Sequence, residues 1–312
     1  MAITLADVKV NVNDALSAHV IDEFRKSSFL LDNLTFDDAV NPSGGGASMT
    51  YAYTRVTTQP TAAAREIGSE YTPQEAKKTR CSVDLKVLGG SFEIDRVLAG
   101  MGGVIDEVQF QIAQKVKATQ ALFADMVING DTENGGFDGL DKALSGSVNE
   151  MAAGVDLSTT ENVDKHYMAF LDQLDEMIGK LDGAPTCLMG NSQMMAKVRA
   201  CTRRATMYHT GMDSFGRMIE YYGNVPLIDL GDKAGTSTPI IATEDGETCL
   251  YAVRFGLDGF HGVSVNGQNP IRVYLPDFTT GGAVKCGEVE MVAAAALKSS
   301  RAAAVLRGVK VA

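Results

Sequence analysis

In the first third of the chain, a polar stretch lies between two segments in which apolar side chains occupy every second position. Before the stretch, apolar side chains alternate with small ones at Met49, Tyr51 and Tyr53. After it, the apolar positions are Cys81, Val83, Leu85 and Val87. A period of two is typical of a strand with one buried face. The chain is therefore predicted to form a long two-stranded excursion over residues 47–90.

The middle of this excursion offers little to bury. Residues 59–76 are rich in alanine, threonine, proline and charged side chains. Ordering each residue costs about 1–2 kcal/mol of backbone entropy, and an isolated hairpin is only marginally stable in water. We expect another copy of the chain to hold this segment, and the alternative is a mobile surface hairpin.

After Gly89-Gly90 the apolar side chains fall on even-numbered positions, at Phe92 and Ile94, instead of odd-numbered ones. This shift predicts a β-bulge or bend at the glycines.

A long amphipathic helix is predicted to follow, over residues 104–129. Its apolar positions recur at three- and four-residue spacing, at Ile105, Val108, Ile112, Val116, Phe123 and Met126. One helix of this length would span about 39 Å. Asn129-Gly130-Asp131 ends it, and the motif Gly136-Phe137-Asp138-Gly139-Leu140 comes next. The apolar stripe is interpreted as core packing, so the helix would be a rigid support for the excursion.

The remaining segments predict an arm before the excursion and an α/β unit after the long helix. The arm would end in a flexible hinge at residues 41–46. A second amphipathic helix is predicted up to residue 183. Short apolar runs then surround a helix over residues 193–204, for which Asn191 is a candidate N-cap. Three later segments are predicted to be extended, at residues 271–275, 289–297 and 302–306.

The composition limits the possible functions. The net charge is −11, and no basic run of the kind that grips nucleic acid occurs. The five cysteines are odd in number and form no Cys-x-x-Cys motif, which favours a reducing compartment over a disulfide framework. The first residues lack the pattern of a signal peptide, and no apolar run is long enough to cross a bilayer. We therefore expect an intracellular product without a membrane partner.

No pattern of residues predicts catalysis, a cofactor or a metal ion. The four histidines, His19, His166, His209 and His261, are widely separated, and each is predicted to be a surface or interface residue. Residues 131–142 resemble the start of a calcium loop, but Lys142 stands where a bidentate glutamate is required. Phosphate-loop and nucleophile-elbow motifs are also missing. The chain is accordingly predicted not to be an enzyme.

The order of these parts resembles the major capsid protein of tailed bacteriophages, which has the Hong Kong 97-type fold. The likeness is one of architecture and covers nearly the whole chain, from the excursion and long helix to the run Val289–Ala303. It implies an α+β fold whose parts follow in a set order. These would be an N-terminal arm (1–46), an extended β-loop (47–90), a peripheral domain (91–183) with a spine helix (104–129), an axial α/β domain (184–265), and return strands of the peripheral domain with a closing strand (266–312).

The resemblance implies a structural role. Hexamers and pentamers would form an icosahedral shell that encloses double-stranded phage DNA without sequence-specific binding. This virion capsid would be assembled in the host cytoplasm, with portal and scaffolding proteins as partners and a cement protein as a further option. Because the chain begins at its arm, the scaffold is expected to be a separate protein or to be removed by prior processing.

Charged residues around the tip of the extended loop are candidates for contacts between subunits: Arg65, Glu66, Glu70, Lys77 and Lys78. A solvated charged tip is an equal alternative, because exposed ion pairs contribute little to stability.

Some relatives join a loop lysine covalently to an asparagine near the C-terminus, helped by a glutamate. Glu288 and Glu290 are present here, but no asparagine follows Asn269, so a non-covalent shell is predicted.

Two alternatives stay open. An encapsulin, a cellular nanocompartment that encloses an enzyme, shares this fold. The long loop and the irregular arm favour the phage protein, since encapsulins have a shorter loop and a helical start. The second alternative is a soluble α/β enzyme with an unrecognised site, although no set of residues in the sequence converges on one.

Overall fold

Two sheets and one separate hairpin contain the named strands of the described chain. The computed structural model of the protein describes residues 29–39, 48–101, 106–212, 218–265 and 270–312. Within these ranges the α-helices are α1 (Phe29–Asn33), α2 (Arg96–Gly100), α3 (Glu107–Asn129), α4 (Leu140–Leu144), α5 (Thr160–Gly179) and α6 (Ser192–Arg204). The first strands are β1 (Phe36–Asp38), β2 (Thr50–Thr58), β3 (Lys77–Asp84), β4 (Lys86–Asp95), β5 (Glu150–Ala152), β6 (Cys187–Gly190) and β7 (His209–Met212). The later strands are β8 (Met218–Tyr222), β9 (Val225–Asp229), β10 (Glu247–Val253), β11 (Phe260–Ser264), β12 (Ile271–Tyr274), β13 (Val284–Leu297) and β14 (Ala303–Lys310).

Strand β13 organises the five-stranded sheet. It pairs antiparallel with β4 over ten consecutive residue pairs, from Lys86–Ala293 to Asp95–Val284. It also pairs antiparallel with β11 and β12, and β1 joins β11 in parallel. On β4 and on β13 up to Ala293 the more buried positions alternate, as a half-buried strand requires, whereas Ala294, Ala295 and Ala296 at the end of β13 are all buried.

Helix α3 covers that buried face. Asp106 caps its N-terminus by accepting from the backbone N–H groups of Val108 and Gln109. The buried side chains lie in its second half, at Thr119, Ala121, Phe123, Ala124, Val127 and Ile128. Four of them, Phe123, Ala124, Val127 and Ile128, share one core cluster with Leu88 and Met291 of the sheet. The helix predicted over 104–129 is thus observed as Glu107–Asn129, and residues 104 and 105 lie outside the described ranges.

The arm expected over residues 1–46 is described only in part. Residues 1–28 and the predicted hinge at 41–46 lie outside the described ranges. Residues 29–39 form α1 and β1, and Phe36 is buried against Phe123 of α3, with ring centroids 5.9 Å apart. This part of the arm is therefore built into the core of the five-stranded sheet.

The seven-stranded sheet has the order β5-β14-β10-β6-β9-β8-β7, and one of its faces forms a second core. Helices α5 and α6 pack together on it, so that Phe170 and Leu174 share a cluster with Val198, Leu188 and Leu306. The predicted N-cap of α6 is confirmed, since Asn191 accepts from the N–H of Met194 at 2.8 Å. The predicted boundary after residue 183 grouped α5 with the long helix, whereas its apolar face packs on this second sheet.

The prediction of a β-bulge or bend at Gly89-Gly90 is wrong. The register between β4 and β13 is unbroken through both glycines. The buried positions shift from odd to even numbers at Leu85 instead, between β3 and β4. As a result Val87 is 62% exposed and Leu88 is buried. Gly89 is required for a different reason, because a Cβ there would lie 2.1 Å from the carbonyl oxygen of Val289.

Two glycines allow the chain to turn tightly after α3. A Cβ on Gly130 would lie 2.3 Å from the carbonyl oxygens of Met126 and Phe137. A Cβ on Gly139 would lie 2.4 Å from the carbonyl oxygen of Ile128. The motif singled out in the sequence therefore marks a place where two backbone segments touch.

We expect Gly139→Ala to destabilise the fold by about 1–3 kcal/mol, because the added methyl group overpacks a buried turn. Gly179→Ala is the matched control, since nothing lies within 4 Å of a Cβ at that helical position. The free energy of unfolding from urea titration measures both effects. Equal stability of the two variants would contradict the close-contact interpretation.

Candidate functional site

The hairpin β2–β3 is a two-stranded sheet with no third strand. Its register runs from Thr50–Asp84 to Thr58–Lys77, with one shift between Val56 and Thr58. A strand of this length extends about 30 Å at 3.4 Å per residue. Beyond Thr58 the chain has no strand or helix until Lys77, and every residue from 59 to 76 is exposed. The predicted two-stranded excursion is observed as a hairpin with an exposed tip, but it spans residues 50–84 rather than 47–90, because residues 86–90 belong to β4 of the five-stranded sheet.

The two faces of the hairpin differ. Tyr51, Tyr53 and Arg55 are half-buried against the body of the chain. Thr50, Ala52, Thr54 and Val56 alternate with them and are exposed. Directly opposite residues of an antiparallel pair share a face, so Lys78 and Arg80 lie with Val56 and Thr54 on the outer face. The hairpin is therefore attached by one face near its base and open on the other.

Three side chains anchor the base of the hairpin. The hydroxyl of Tyr51 donates to a carboxylate oxygen of Asp37 at 2.6 Å. The hydroxyl of Tyr53 donates to the carbonyl of Leu297 at 2.9 Å. The guanidinium of Arg55 donates to the carbonyls of Leu297 and Lys298 at 2.7 and 2.9 Å. These contacts hold the hairpin at the C-terminal end of β13.

The electrostatics of the anchor follow from its burial. Burial and the Asp37 carboxylate raise the pKa of Tyr51 well above its ordinary value, so its hydroxyl stays protonated and donates. The ammonium of Lys298 lies 5.2 Å from the centre of the Tyr51 ring. Sequence periodicity identified the two tyrosines as strand residues, but it contains no signal for the partners that they reach.

His261 lies beneath this anchor. Its ring is fully buried and meets the ring of Tyr51 edge to face, with centroids 5.7 Å apart. Within the described chain, neither ring nitrogen has a hydrogen-bond partner of normal geometry. Burial, reinforced by the charge of Lys298, lowers the pKa of His261 to about 4, although Asp37 and the carbonyl of Gly259 act in the opposite direction. The prediction of a surface or interface histidine is wrong at this position, because strand pairing places it inside.

The predicted contact residues all lie on the exposed part of the hairpin. The guanidinium of Arg65 donates to the carbonyl of Ser69 at 3.0 Å and lies 5.4 Å from the centre of the Tyr71 ring. Glu66 and Glu70 flank this turn, and Lys77 and Lys78 begin β3. No salt bridge links any of these five side chains to another residue of the described chain. Their role between subunits stays a prediction.

A polar cleft of about 400 Å³ lies between the end of α3 and the seven-stranded sheet. Two of its charged side chains are paired: Arg307 pairs with Asp141 and also with Glu150, and the hydroxyl of Tyr251 donates to Asp141 at 3.0 Å. Within the described ranges no group of His, Cys, Asp and Glu side chains could hold a metal ion. An ion pair at this cleft therefore links β14 of the seven-stranded sheet to α4.

The cysteines belong mainly to the interior. Cys187 and Cys201 are buried, and burial raises the pKa of the Cys201 thiol to about 11. Cys81 and Cys249 are partly buried, whereas Cys286 is exposed on β13. All five are free thiols. None of the helices in the described ranges has the length and apolarity needed to span a bilayer.

Solved structures resemble the chain over nearly its full length. An encapsulin complex from Synechococcus elongatus PCC 7942 matches with a TM-score of 0.65 at 15% identity, covering 100% of this chain and 97% of that one. A structure from Mycobacterium phage Bobi matches with a TM-score of 0.62 at 13% identity, covering 99% of both chains. The capsid of Myoviridae phage XM1 matches with a TM-score of 0.59 at 12% identity, again covering 99% of both. No protein-family model and no curated protein matches the sequence.

These likenesses, at identities of 12–15%, establish the fold. The predicted α+β class and the resemblance to phage major capsid proteins are confirmed, and the chain has the Hong Kong 97-type capsid fold.

We expect falling pH to weaken the folded chain through His261. Its pKa is about 4 in the folded chain against an ordinary value of 6.5, so the unfolded chain binds the proton first. The stability present above about pH 6.5 is therefore lost as the pH falls towards about 4. His261→Phe keeps a ring beneath Tyr51 and removes this contribution. Urea titrations at about pH 7.5 and about pH 5 should show a larger loss in the parent chain than in the variant.

The control for this experiment is His209→Phe, at an exposed histidine stacked on Tyr221. Carboxylates titrate in the same range in all three chains, so only the difference between chains carries information. A parent chain and a His261→Phe chain that lose equal stability would show that His261 is not the group responsible.

Proposed function

We propose that the chain is the subunit of a closed icosahedral shell, namely the major capsid protein of a tailed bacteriophage. The hairpin β2–β3 carries this proposal. Its tip buries nothing in its own chain, and ordering a segment without burial is unfavourable. A second copy of the chain supplies the missing contacts when subunits assemble. Obligate interfaces commonly bury about 2,000–5,000 Å², which is enough to order such a segment.

The same proposal defines the partners. Hexamers and pentamers close the shell, portal and scaffolding proteins take part in assembly in the host cytoplasm, and a cement protein is a further option. The role is structural rather than catalytic. The net charge of −11 supports a wall that repels packed double-stranded DNA instead of binding its sequence.

We assign the two sheets to the two domains expected for a shell subunit. The five-stranded sheet with α3 corresponds to the peripheral domain, and the seven-stranded sheet with α5 and α6 corresponds to the axial domain. The cluster that α5 and α6 form with one face of the seven-stranded sheet supports this division, whereas the other face of that sheet, with Met189, Tyr251 and Val305, shares a cluster with the five-stranded sheet and α3. Arg307 on β14 pairs with Asp141 on α4, so an ion pair links the axial sheet to the turn that follows α3.

An encapsulin-type nanocompartment is the second candidate. The observation that favours it is the TM-score of 0.65 to the encapsulin complex, compared with 0.62 and 0.59 for the two phage structures. The contents of shells purified from the native source separate the candidates. Double-stranded DNA supports the phage capsid protein, whereas a single enclosed enzyme supports the encapsulin.

Negative-stain electron microscopy tests the shell itself. The chain is expressed alone and then together with its neighbouring genes. Closed shells, or rings of five and six subunits, support the proposal. A monodisperse monomer under every condition contradicts it and returns the α/β enzyme to consideration.

We expect replacement of residues 59–76 by a short glycine–serine turn to abolish closed shells while leaving the subunit folded. The reason is that these residues are exposed in the isolated chain. The midpoint of thermal unfolding should change by less than about 4 °C. A glycine–serine segment of the original length is the matched control for loop length, and it should also fail to form shells. Normal shells from either variant would show that the tip makes no essential contact.

We also expect the shell to be non-covalent. No asparagine follows Asn269 to accept a lysine of the loop. Purified shells heated in sodium dodecyl sulfate should therefore release monomers of 33.1 kDa on a reducing gel. A ladder of covalent multimers that persists under these conditions would contradict this prediction.

A further inference from the structure

We infer that Asn134 is a site of spontaneous deamidation, whereas the fold protects Asn129 from the same reaction. Each of the two asparagines precedes a glycine, as Asn129-Gly130 and Asn134-Gly135. The modification is covalent, and it does not depend on the proposed shell function. A third pair of this kind, Asn266-Gly267, lies in a part of the chain that the structure does not describe.

The reaction joins the side chain of an asparagine to the backbone of the next residue. The backbone nitrogen loses its proton to a base in solution and bonds to the side-chain carbonyl carbon. The bond from that carbon to the amide nitrogen breaks, and ammonia leaves after taking up a proton from water. A water molecule then adds to one carbonyl of the cyclic imide and opens the ring to aspartate or isoaspartate. Glycine favours ring closure because it has no Cβ and the widest range of backbone angles.

The fold restrains both reacting groups of Asn129. This residue ends α3, and the N–H of Gly130 donates to the carbonyl of Met126 at 2.9 Å. The side-chain amide of Asn129 donates to the carboxylate of Asp125 and to the carbonyl of Ile240, both at 2.7 Å. Gly130 is itself buried. Ring closure therefore requires the end of the long helix to open, and openings of buried structure are rare.

The reacting groups of Asn134 are much less restrained. Asn134 ends a short 3₁₀ helix, Thr132–Asn134, and both it and Gly135 are exposed. The N–H of Gly135 lies 3.4 Å from the carbonyl of Thr132, beyond the usual range of about 2.7–3.2 Å. Nothing lies within 4 Å of a Cβ at Gly135. Exposed turns of this kind open at little cost in free energy, so the backbone nitrogen reaches the side chain more often here.

The product changes the turn that follows α3. In the parent chain the amide of Asn134 donates to the carboxylate of Asp131 at 3.2 Å. Deamidation replaces this donor with a carboxylate, so two like charges then lie together. The ammonium of Lys142 already pairs with Asp131 and Asp138, at 2.5 and 3.0 Å. The isoaspartate product also lengthens the backbone of the turn by one methylene group. The modified turn should therefore be looser than the parent turn.

Peptide mapping tests the choice between the two asparagines. The folded chain is incubated at mildly alkaline pH, and samples are digested with trypsin and compared with a sample taken at the start. Trypsin releases residues 118–142 as a single peptide that contains both dipeptides, so fragment masses compare the two sites in the same molecules. Asn134 should lose its amide faster than Asn129 by about tenfold or more.

The chain unfolded in guanidinium chloride is the control for intrinsic reactivity. There both asparagines should lose their amides at similar rates, because the fold no longer separates them. Equal rates in the folded chain, faster loss at Asn129, or no loss at Asn134 would overturn the inference. A difference that persists after unfolding would overturn it as well, since the cause would then be the neighbouring sequence.

Asn134→Gln is the matched variant for the identity of the site. It keeps an amide at this position, but ring closure is much slower on a side chain that is longer by one methylene group. The deamidated form of the peptide 118–142 should therefore disappear from the folded variant. A peptide that is modified as quickly as in the parent chain would contradict the assignment.

Hydrogen exchange tests the consequence for the turn. The N–H of Gly136 donates to the carbonyl of Asp131 at 2.9 Å. Its protection against exchange should fall by about threefold or more in Asn134→Asp, which reproduces one product of the reaction. Asn134→Ser removes the amide without adding a charge and should have a smaller effect. Unchanged protection in Asn134→Asp would show that deamidation does not loosen the turn.

Discussion

The antiparallel pairing of β4 with β13 is the constraint on which the rest of the fold depends. Ten consecutive residue pairs set the register. β4 directly follows the hairpin and precedes the long helix in the chain, so this register decides where the hairpin leaves the sheet and where α3 returns to it. A shift of one residue would exchange the two faces of β4. The core against α3 would then be lost.

The hairpin is firmly attached at its base and unsupported at its tip. Its attachment uses two hydroxyl groups and a guanidinium directed at a carboxylate and at backbone carbonyls. Hydrogen bonds have a defined geometry, so they set the direction of the hairpin as well as its stability. A rigid base with an exposed tip suits an element whose remaining contacts come from another subunit.

Several polar side chains occupy interior positions that an alternating pattern would assign to apolar residues. Lys285 points inward from β13, and its ammonium donates to the two oxygens of Thr280 and to the carbonyl of Gly281 at 2.7–2.9 Å. Arg307 is held by two carboxylates between the sheet and α4. These groups are satisfied within the chain, whereas the ring nitrogens of His261 are not. The buried imidazole therefore makes the anchor of the hairpin sensitive to protonation.

The sequence by itself determined the local elements and their order. The period of two predicted the hairpin strands, the spacing of three and four predicted α3, and the motif at Gly136–Leu140 marked a real close turn. Together these parts were enough for the fold class. These patterns can be recognised within one segment because residues that recur at the period of a strand or helix lie on the same face and share the same environment. The tertiary structure alone decided that the phase changes at Leu85, that α5 packs on the second sheet, and that His261 lies beneath Tyr51. Each of these depends on which distant strands pair and in what register, and a pattern within one segment does not contain that information.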